Sequence, residues 1–283
     1  MPPAAAWPAA FVMGYWPIMT PFDAAALGRA RDLAAAAARA PSDLILAWFR
    51  VAGLPVESKA DGTPVTAADR EAELTIRRCL RRSSEFGGLP ILGEEGGQEG
   101  QVGEYRWIVD PIDGTRGFAR GLPTFGTLVA LEETALRRAL VGVIHLPLTN
   151  ETLAAARGLG ATRNGQALRA SSAADLRAAV VSLPDVGEFR AAGMEAAYTA
   201  VHAACDHVRG YTDCWAHALV VAGAVDALLE PALSPWDVRA TEVLIAEAGG
   251  ECRLRASRVA GKYDLVCGSR ALVGRIAALV QFG

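Results

Sequence analysis

The segment Trp107-Ile-Val-Asp110-Pro-Ile-Asp113-Gly-Thr115 constrains this chain more than any other. Three apolar residues of strand type run straight into an aspartate, and a second aspartate follows three residues later. Pro111 stands between them. With no N–H and a fixed φ, it predicts that the strand stops there and the backbone turns. Asp110, Asp113 and the Ile112 carbonyl can then converge on one place. Hard oxygen donors in that arrangement suit Mg2+, which takes octahedral oxygen ligands and keeps some of its waters. Gly114 and Thr115 follow at once, and if they open a helix their N–H groups form an anion pocket beside the carboxylates. A cation site next to a phosphate pocket predicts phosphoryl chemistry. A capped turn is the bland alternative for such a string. The company it keeps weighs against that. Glu94 and Glu95 lie on a Gly-rich stretch upstream, and Asp237 in Ser234-Pro-Trp-Asp237 introduces a late helix, where a lone aspartate would more often be an N-cap.

The surrounding pattern predicts layers of helices and mixed sheets, an α+β fold, and not a doubly wound sheet. Helices are expected over 23–40 and 66–82, with Leu74, Ile76, Cys79 and Leu80 turned inward, and Ser42–Asp43 capping a short continuation past Pro41. Residues 87–103 read as a mobile, acidic, Gly-rich loop that a bound metal would order. Leu128–Leu131 and Leu140–Ile144 read as paired strands, and Asn164–Gly165 as a type I′ hairpin turn. Further helices are expected near 190–206, 214–228 and 237–249, and Val266–Ser269 as a last strand. The organisation expected is a flexible extension over 1–22, a metal- and phosphate-binding half over 23–170, and a second half over 171–283 that supplies Asp237 and substrate contacts.

Composition narrows the class. Hydrophobic residues make up 52% and charged ones 21% of the 283, which excludes a disordered chain. Lys plus Arg is 28 against 31 acids, so a general nucleic-acid binder with a basic face is disfavoured. The Arg77-Arg78 and Arg81-Arg82 cluster reads as a solvated helix face. Five cysteines, an odd number with no C-x-x-C pair, predict free thiols in a reducing cytoplasm. No membrane span is expected. His145, His202, His207 and His217 lack metal-type spacing and read as structural.

Three motifs in order, Gly93-Glu-Glu, Asp110-Pro-Ile-Asp-Gly-Thr and Trp236-Asp237, resemble those of the inositol monophosphatase family over about residues 23–280. Val56-Glu-Ser-Lys59-Ala-Asp-Gly-Thr-Pro-Val-Thr66-Ala-Ala-Asp69, Phe125-Gly-Thr-Leu-Val-Ala-Leu131 and Asp213-Cys-Trp215 are most similar to the histidinol-phosphate phosphatases of that family. Arg116-Gly-Phe118 departs from the commoner pattern, which has Asn before Phe. The resemblance implies a sugar-phosphatase fold, a homodimer, and a magnesium-dependent phosphomonoesterase using two or three ions. It implies that Glu94, Asp110 and the Ile112 carbonyl hold one ion, and Asp110, Asp113 and Asp237 a second. Asp69 would orient waters, with a weaker third ion. Thr115, supported by Asp69, would hold the attacking water, and Asp113, Gly114 and Thr115 would bind the phosphate. Lys59 and Glu95 would support the loop that carries Glu94, itself a catalytic acid.

For the leaving group, the resemblance sets Glu230 beside the alcohol, and Asp213 can face the same space. Two carboxylates there, with Asp237 near, favour a cationic alcohol such as histidinol, and so a step of histidine biosynthesis. Inositol 1-phosphate or a broader set of sugar phosphates is the alternative substrate. A non-catalytic scaffold or nucleic-acid partner with the same fold is a different class. It predicts lost ligands, yet every acid is present.

Overall fold

A computed structural model describes residues 22–59 and 62–282, with the pair Phe11–Val12. The rest of the expected 1–22 extension lies outside the described residues. In chain order the elements begin with β1 (Phe11–Val12), α1 (Ala24–Arg39), α2 (Ser42–Trp48), β2 (Glu57–Ser58), β3 (Pro64–Val65) and α3 (Ala67–Arg81). Then come β4 (Ile91–Gly93), β5 (Gly97–Glu99), β6 (Tyr105–Asp113), α4 (Thr115–Ala119), β7 (Gly126–Glu133), β8 (Arg138–Leu146), β9 (Glu151–Ala156), β10 (Ala161–Arg163) and β11 (Gln166–Ala167). The chain continues through β12 (Val180–Ser182), α5 (Val186–Ala191), α6 (Glu195–Ala204), β13 (His207–Arg209) and α7 (Asp213–Val221). It ends with β14 (Ala227–Leu233), α8 (Pro235–Glu247), β15 (Glu251–Ala256), β16 (Tyr263–Gly268) and α9 (Arg270–Leu279).

Two sheets hold most strands. One has eight, in the order β11-β10-β9-β8-β7-β6-β4-β5, antiparallel throughout except for β4 beside β6. The other has six, β1-β15-β16-β14-β12-β13, with β12 parallel to both of its neighbours. Helices cover both faces of the first sheet. Val129 and Leu131 of β7 pack against the small-residue face of α1 and against α3, whereas Leu128 points the other way, onto α7 and α8. That alternation is the period of two of a strand. Burial on both faces explains why Leu128–Leu131 and Leu140–Ile144 are continuous apolar runs. Helices α7 and α8 are therefore sandwiched between the two sheets, and α5, α6 and α9 cover the outer face of the second. The α+β layering expected from the sequence is the architecture found. Gly142 of β8 lets α8 come close: a Cβ there would lie 2.9 Å from the Cα of Ala240.

Several local expectations are corrected. The 87–103 stretch is not a loop but carries the β4–β5 hairpin, fixed to β6. Pro111 does not end β6, which runs on to Asp113. Leu74 is half exposed, and the inward face of α3 is carried by Ala68, Ala72, Ile76 and Leu80 together with the polar Asp69, Glu73 and Arg77. Arg77 is thus buried, bonded to Glu73 and Glu99, and not part of a solvated face. Ser42 is the first residue of α2 rather than its cap, and its hydroxyl lies 2.9 Å from His145 Nε2. The 190–206 helix is two, split at Gly193, and the 214–228 run is α7 followed by the start of β14. All five cysteines are free thiols, and no helix among the described residues is long and apolar enough to cross a membrane.

Candidate active site

Strand β6 delivers the two central acids. In a regular strand, residues three apart face opposite sides. Pairing of β6 with β7 runs Asp110 to Leu128 and then Asp113 to Gly126, three residues against two. This is a β-bulge at Pro111–Ile112, and the extra residue brings both carboxylates to one side. Pro111 is tolerated because a bulge leaves a residue unpaired. Its carbonyl accepts a hydrogen bond from Thr127 Oγ1 at 2.8 Å. Gly114 then ends the strand with φ 84°, in the left-handed region, and a Cβ there would lie 2.7 Å from the Thr124 carbonyl. The chain turns at once into α4, whose first amides have no partner within the helix.

Two further aspartates arrive by one local device. Asp69 is the third residue of α3 and Asp237 the third of α8, each in a capping box with Thr66 and Ser234 respectively. In each box one carboxylate oxygen accepts the cap residue's N–H, at 2.8 Å for Asp69 and 2.7 Å for Asp237. The helix N-terminus thereby fixes the side chain and leaves a second oxygen to point elsewhere. So Asp237 is not an N-cap. Its ligand atoms and those of Asp110 and Asp113 lie within 4.8 Å of one another. Asp69 instead reaches Thr115, whose Oγ1 stands 3.0 Å from Asp69 Oδ1 and 2.9 Å from the Ile112 carbonyl.

Glu94 lies against Asp110, its backbone N–H bound to the Val109 carbonyl at 3.1 Å. Lys59 Nζ holds both Glu94, at 2.7 Å, and Glu95, at 2.6 Å. Glu95 is therefore not a free surface acid. Asp113 accepts the backbone N–H of Cys214 across the sheet–helix boundary. Asp213 begins α7 with φ 56°, and Thr212, not Asp213, is the N-cap. Its side chain sits over Gly114 and accepts the Thr212 hydroxyl at 2.6 Å. Glu230, buried in β14, lies 3.0 Å from His217 Nε2, and His217 Nδ1 lies 2.7 Å from Thr241 Oγ1.

These side chains open on one cleft of about 780 Å³. Lys59, Glu94, Asp110, Ile112, Asp113, Gly114 and Thr115 from the first half of the chain line it together with Asp213, Glu230 and Asp237 from the second. Among the proposed residues Asp69 and Glu95 stand behind that lining. Asp110 and Asp113 are pushed well above the usual carboxylate range, first by desolvation and then by neighbouring carboxylates. Asp237 is pushed up to about 7 by burial, against the opposing hydrogen bond from Ser234. Burial also raises Glu230 well above its ordinary value and lowers His217 to about 4, so the imidazole is neutral near pH 7. Asp110 Oδ1 is buried without a hydrogen-bond partner. An orphaned buried oxygen amid repelling carboxylates is a donor set that a hard divalent cation satisfies.

Sequence reasoning missed His217, Glu188 and the Cys214 amide. Glu188 lines the same cleft, and its charge and that of Asp213 raise Glu230. No local pattern announces a contact between a histidine and a strand thirteen residues on.

Carboxylates from β6, β14 and the starts of α7 and α8 converge on one polar cleft, and with the family match they make this a phosphatase of the class that acts on small phosphomonoesters. The chain belongs to the inositol monophosphatase family, whose model matches residues 29–282. It is 35% identical to a histidinol-phosphatase of Chlorobaculum parvum over 256 residues, 89% of this chain and 96% of that protein. It is 34% identical to an inositol-1-monophosphatase of Mesorhizobium japonicum over 218 residues, 76% of this chain and 81% of the relative. Among solved structures, the extragenic suppressor protein suhB of Bartonella henselae superposes with a TM-score of 0.79 at 27% identity, covering 90% of this chain and 99% of the other.

Proposed function

We propose that this phosphatase hydrolyses histidinol phosphate to histidinol and phosphate with Mg2+ as cofactor. The observation that carries the reading is the acid-rich lining of the cleft, where Asp213, Glu188 and Glu230 lie close enough that the charges of the first two raise the third, with Arg116 as the cation acting on Asp213 and Glu188. A leaving alcohol with an ammonium group relieves that repulsion, and a neutral polyol does not. Similarity to a histidinol-phosphatase supports the same substrate.

Asp110, Asp113 and Asp237, with Glu94 and the Ile112 carbonyl, would hold two ions, and a third near Asp69. The chemistry that a divalent cation held by these residues would supply is neutralisation of the phosphate dianion and acidification of the attacking water. Thr115 has one hydroxyl proton and two acceptors for it, Asp69 Oδ1 and the Ile112 carbonyl; given to either, it leaves the hydroxyl oxygen to accept a hydrogen bond from the attacking water and orient it. The Gly114 and Thr115 amides offer donors to the phosphate. Lys59 steadies Glu94 and Glu95.

Two results test this. With purified protein, kcat/KM for histidinol phosphate is expected to exceed that for inositol 1-phosphate by about 10–100-fold, the worth of one charge-assisted hydrogen bond of ~1.5–3 kcal/mol. A preference for inositol 1-phosphate, as the Mesorhizobium relative's name suggests for that protein, overturns the substrate.

The second concerns pH. A carboxyl whose pKa is higher folded than unfolded binds more protons in the native state, so the metal-free protein loses stability as pH rises through the window between the two values. For Asp237 that window runs from about 4 to about 7. A divalent cation offsets the same repulsion and competes with the same protons. Mg2+ held at one concentration, ~100 times its Kd at about pH 8, should raise Tm by about 5–10 °C at that pH and by much less at about pH 5, where protons weaken its binding. Calorimetry that finds equal shifts at both removes the carboxylate cluster as the metal site.

A further inference from the structure

One turn beyond Asp69 on α3 stands an acid that the mechanism above does not use. Glu73 is 2% exposed. Its Oε2 accepts the backbone N–H of Glu95 and its Oε1 that of Gly96, both at 2.8 Å. A Cβ on Gly93 or on Gly96 would fall 2.4 or 2.7 Å from Glu73 Oε1, so the carboxylate occupies a cradle that only glycine leaves open. Arg77, a turn further on, bonds Glu73 at 2.9 Å and takes the Gly97 carbonyl at 2.8 Å and Glu99 at 2.7 Å. Two side chains of one helix thus grip both the donors and an acceptor of the β4–β5 turn. A buried ion pair is a weak source of stability, since desolvation offsets most of its attraction. What it fixes here is geometry. The gripped residues include the one that follows Glu94, and Glu94 is the acid this hairpin sends to Asp110.

We infer that Glu73 is a positioning residue for the metal site: by binding the amides of Glu95 and Gly96 it sets where the Glu94 carboxylate stands. The inference rests on the reading of Glu94 as a metal ligand. It assigns a function to a residue outside the cleft, and it explains why Gly93 and Gly96 flank the two glutamates.

The test measures Mg2+ affinity by titration calorimetry on the intact protein, beside Tm and kcat at saturating Mg2+. Glu73→Gln keeps the volume but replaces one of the two acceptors with a donor. Gly96→Ala keeps every charge but forces the carboxylate aside. Both are expected to weaken Mg2+ binding about 10-fold or more, as loss of a residue that orients a ligand does, and to recover most of kcat when Mg2+ is raised. Ile276→Val, in the core of the second sheet, serves as the control that lowers Tm with Mg2+ affinity unchanged. If Glu73→Gln and Gly96→Ala behave like that control, Glu73 is structural only and the inference fails. Glu94→Gln separates this from the underlying reading. Weakened Mg2+ binding in Glu94→Gln with none in the other two overturns the positioning role alone. Unchanged binding in Glu94→Gln overturns the ligand reading and the positioning role with it.

Discussion

Asp110→Asn is expected to lower kcat by about 10^3-fold or more while leaving the metal-free protein at least as stable. The two effects have one cause. Asp110 is 1% exposed, it faces Glu94, Asp113 and Asp237, and its Oδ1 has no protein partner. Burial and those three neighbours all push its pKa upward, which means that the folded state resists its charge. Without metal, removing that charge relieves repulsion. With metal, it removes the ligand common to both proposed ion positions, and a 10^3-fold loss corresponds to about 4 kcal/mol of transition-state stabilisation. Phosphate release and calorimetry on the same preparation check both halves. Turnover within tenfold of the parent, or an undiminished Mg2+-induced rise in Tm, would falsify the assignment of Asp110. Stability given up for a reactive cluster is the usual trade at such a site.

Much of this site was legible because its parts are local. The two-carboxylate string, the glycine that ends it and the Thr-x-x-Asp and Ser-x-x-Asp starts of α3 and α8 are each written within a few residues. Their arrangement was harder to read. Pro111 argues for a stop, and only pairing with β7 turns it into a bulge that aligns Asp110 with Asp113. The glycines of 93–97 look like mobility in isolation. They are instead room for Glu73, which is twenty residues away in sequence and visible only once α3 is packed against the hairpin. Residues 214–228 are an apolar run with no period to divide it, and buried helix and buried strand read alike at that length. Arg77 and Arg81 look like a solvated face because their partner, Glu99, lies on another element.

The largest stability effect is expected at Arg239, two residues beyond Asp237 on α8. Its Nε bonds Glu132 at 2.8 Å, Nη1 bonds Glu242 at 2.9 Å, and Nη2 bonds the Tyr263 hydroxyl at 3.0 Å. Glu132 also accepts from Arg106, at 2.7 Å, and Glu242 from Arg157, at 3.2 Å. This chain of charges joins β6 and β7, in the sheet that carries Asp110, to the helix that carries Asp237. Both glutamates are 1% exposed, and without Arg239 the cations left to them among the described residues are the more peripheral Arg106 and Arg157, with the Ala139 N–H also on Glu242. Leaving buried charge uncompensated costs about 3–5 kcal/mol, so Arg239→Ala should lower Tm by about 10 °C. A double-mutant cycle with Glu132→Leu locates the effect. If the ion chain is its source, the two losses are strongly non-additive, because removing the glutamate as well removes what Arg239 compensates. Additive losses would mean that Arg239 matters by filling volume beside Tyr263, and the electrostatic tie between the two acid-bearing elements would have to be abandoned.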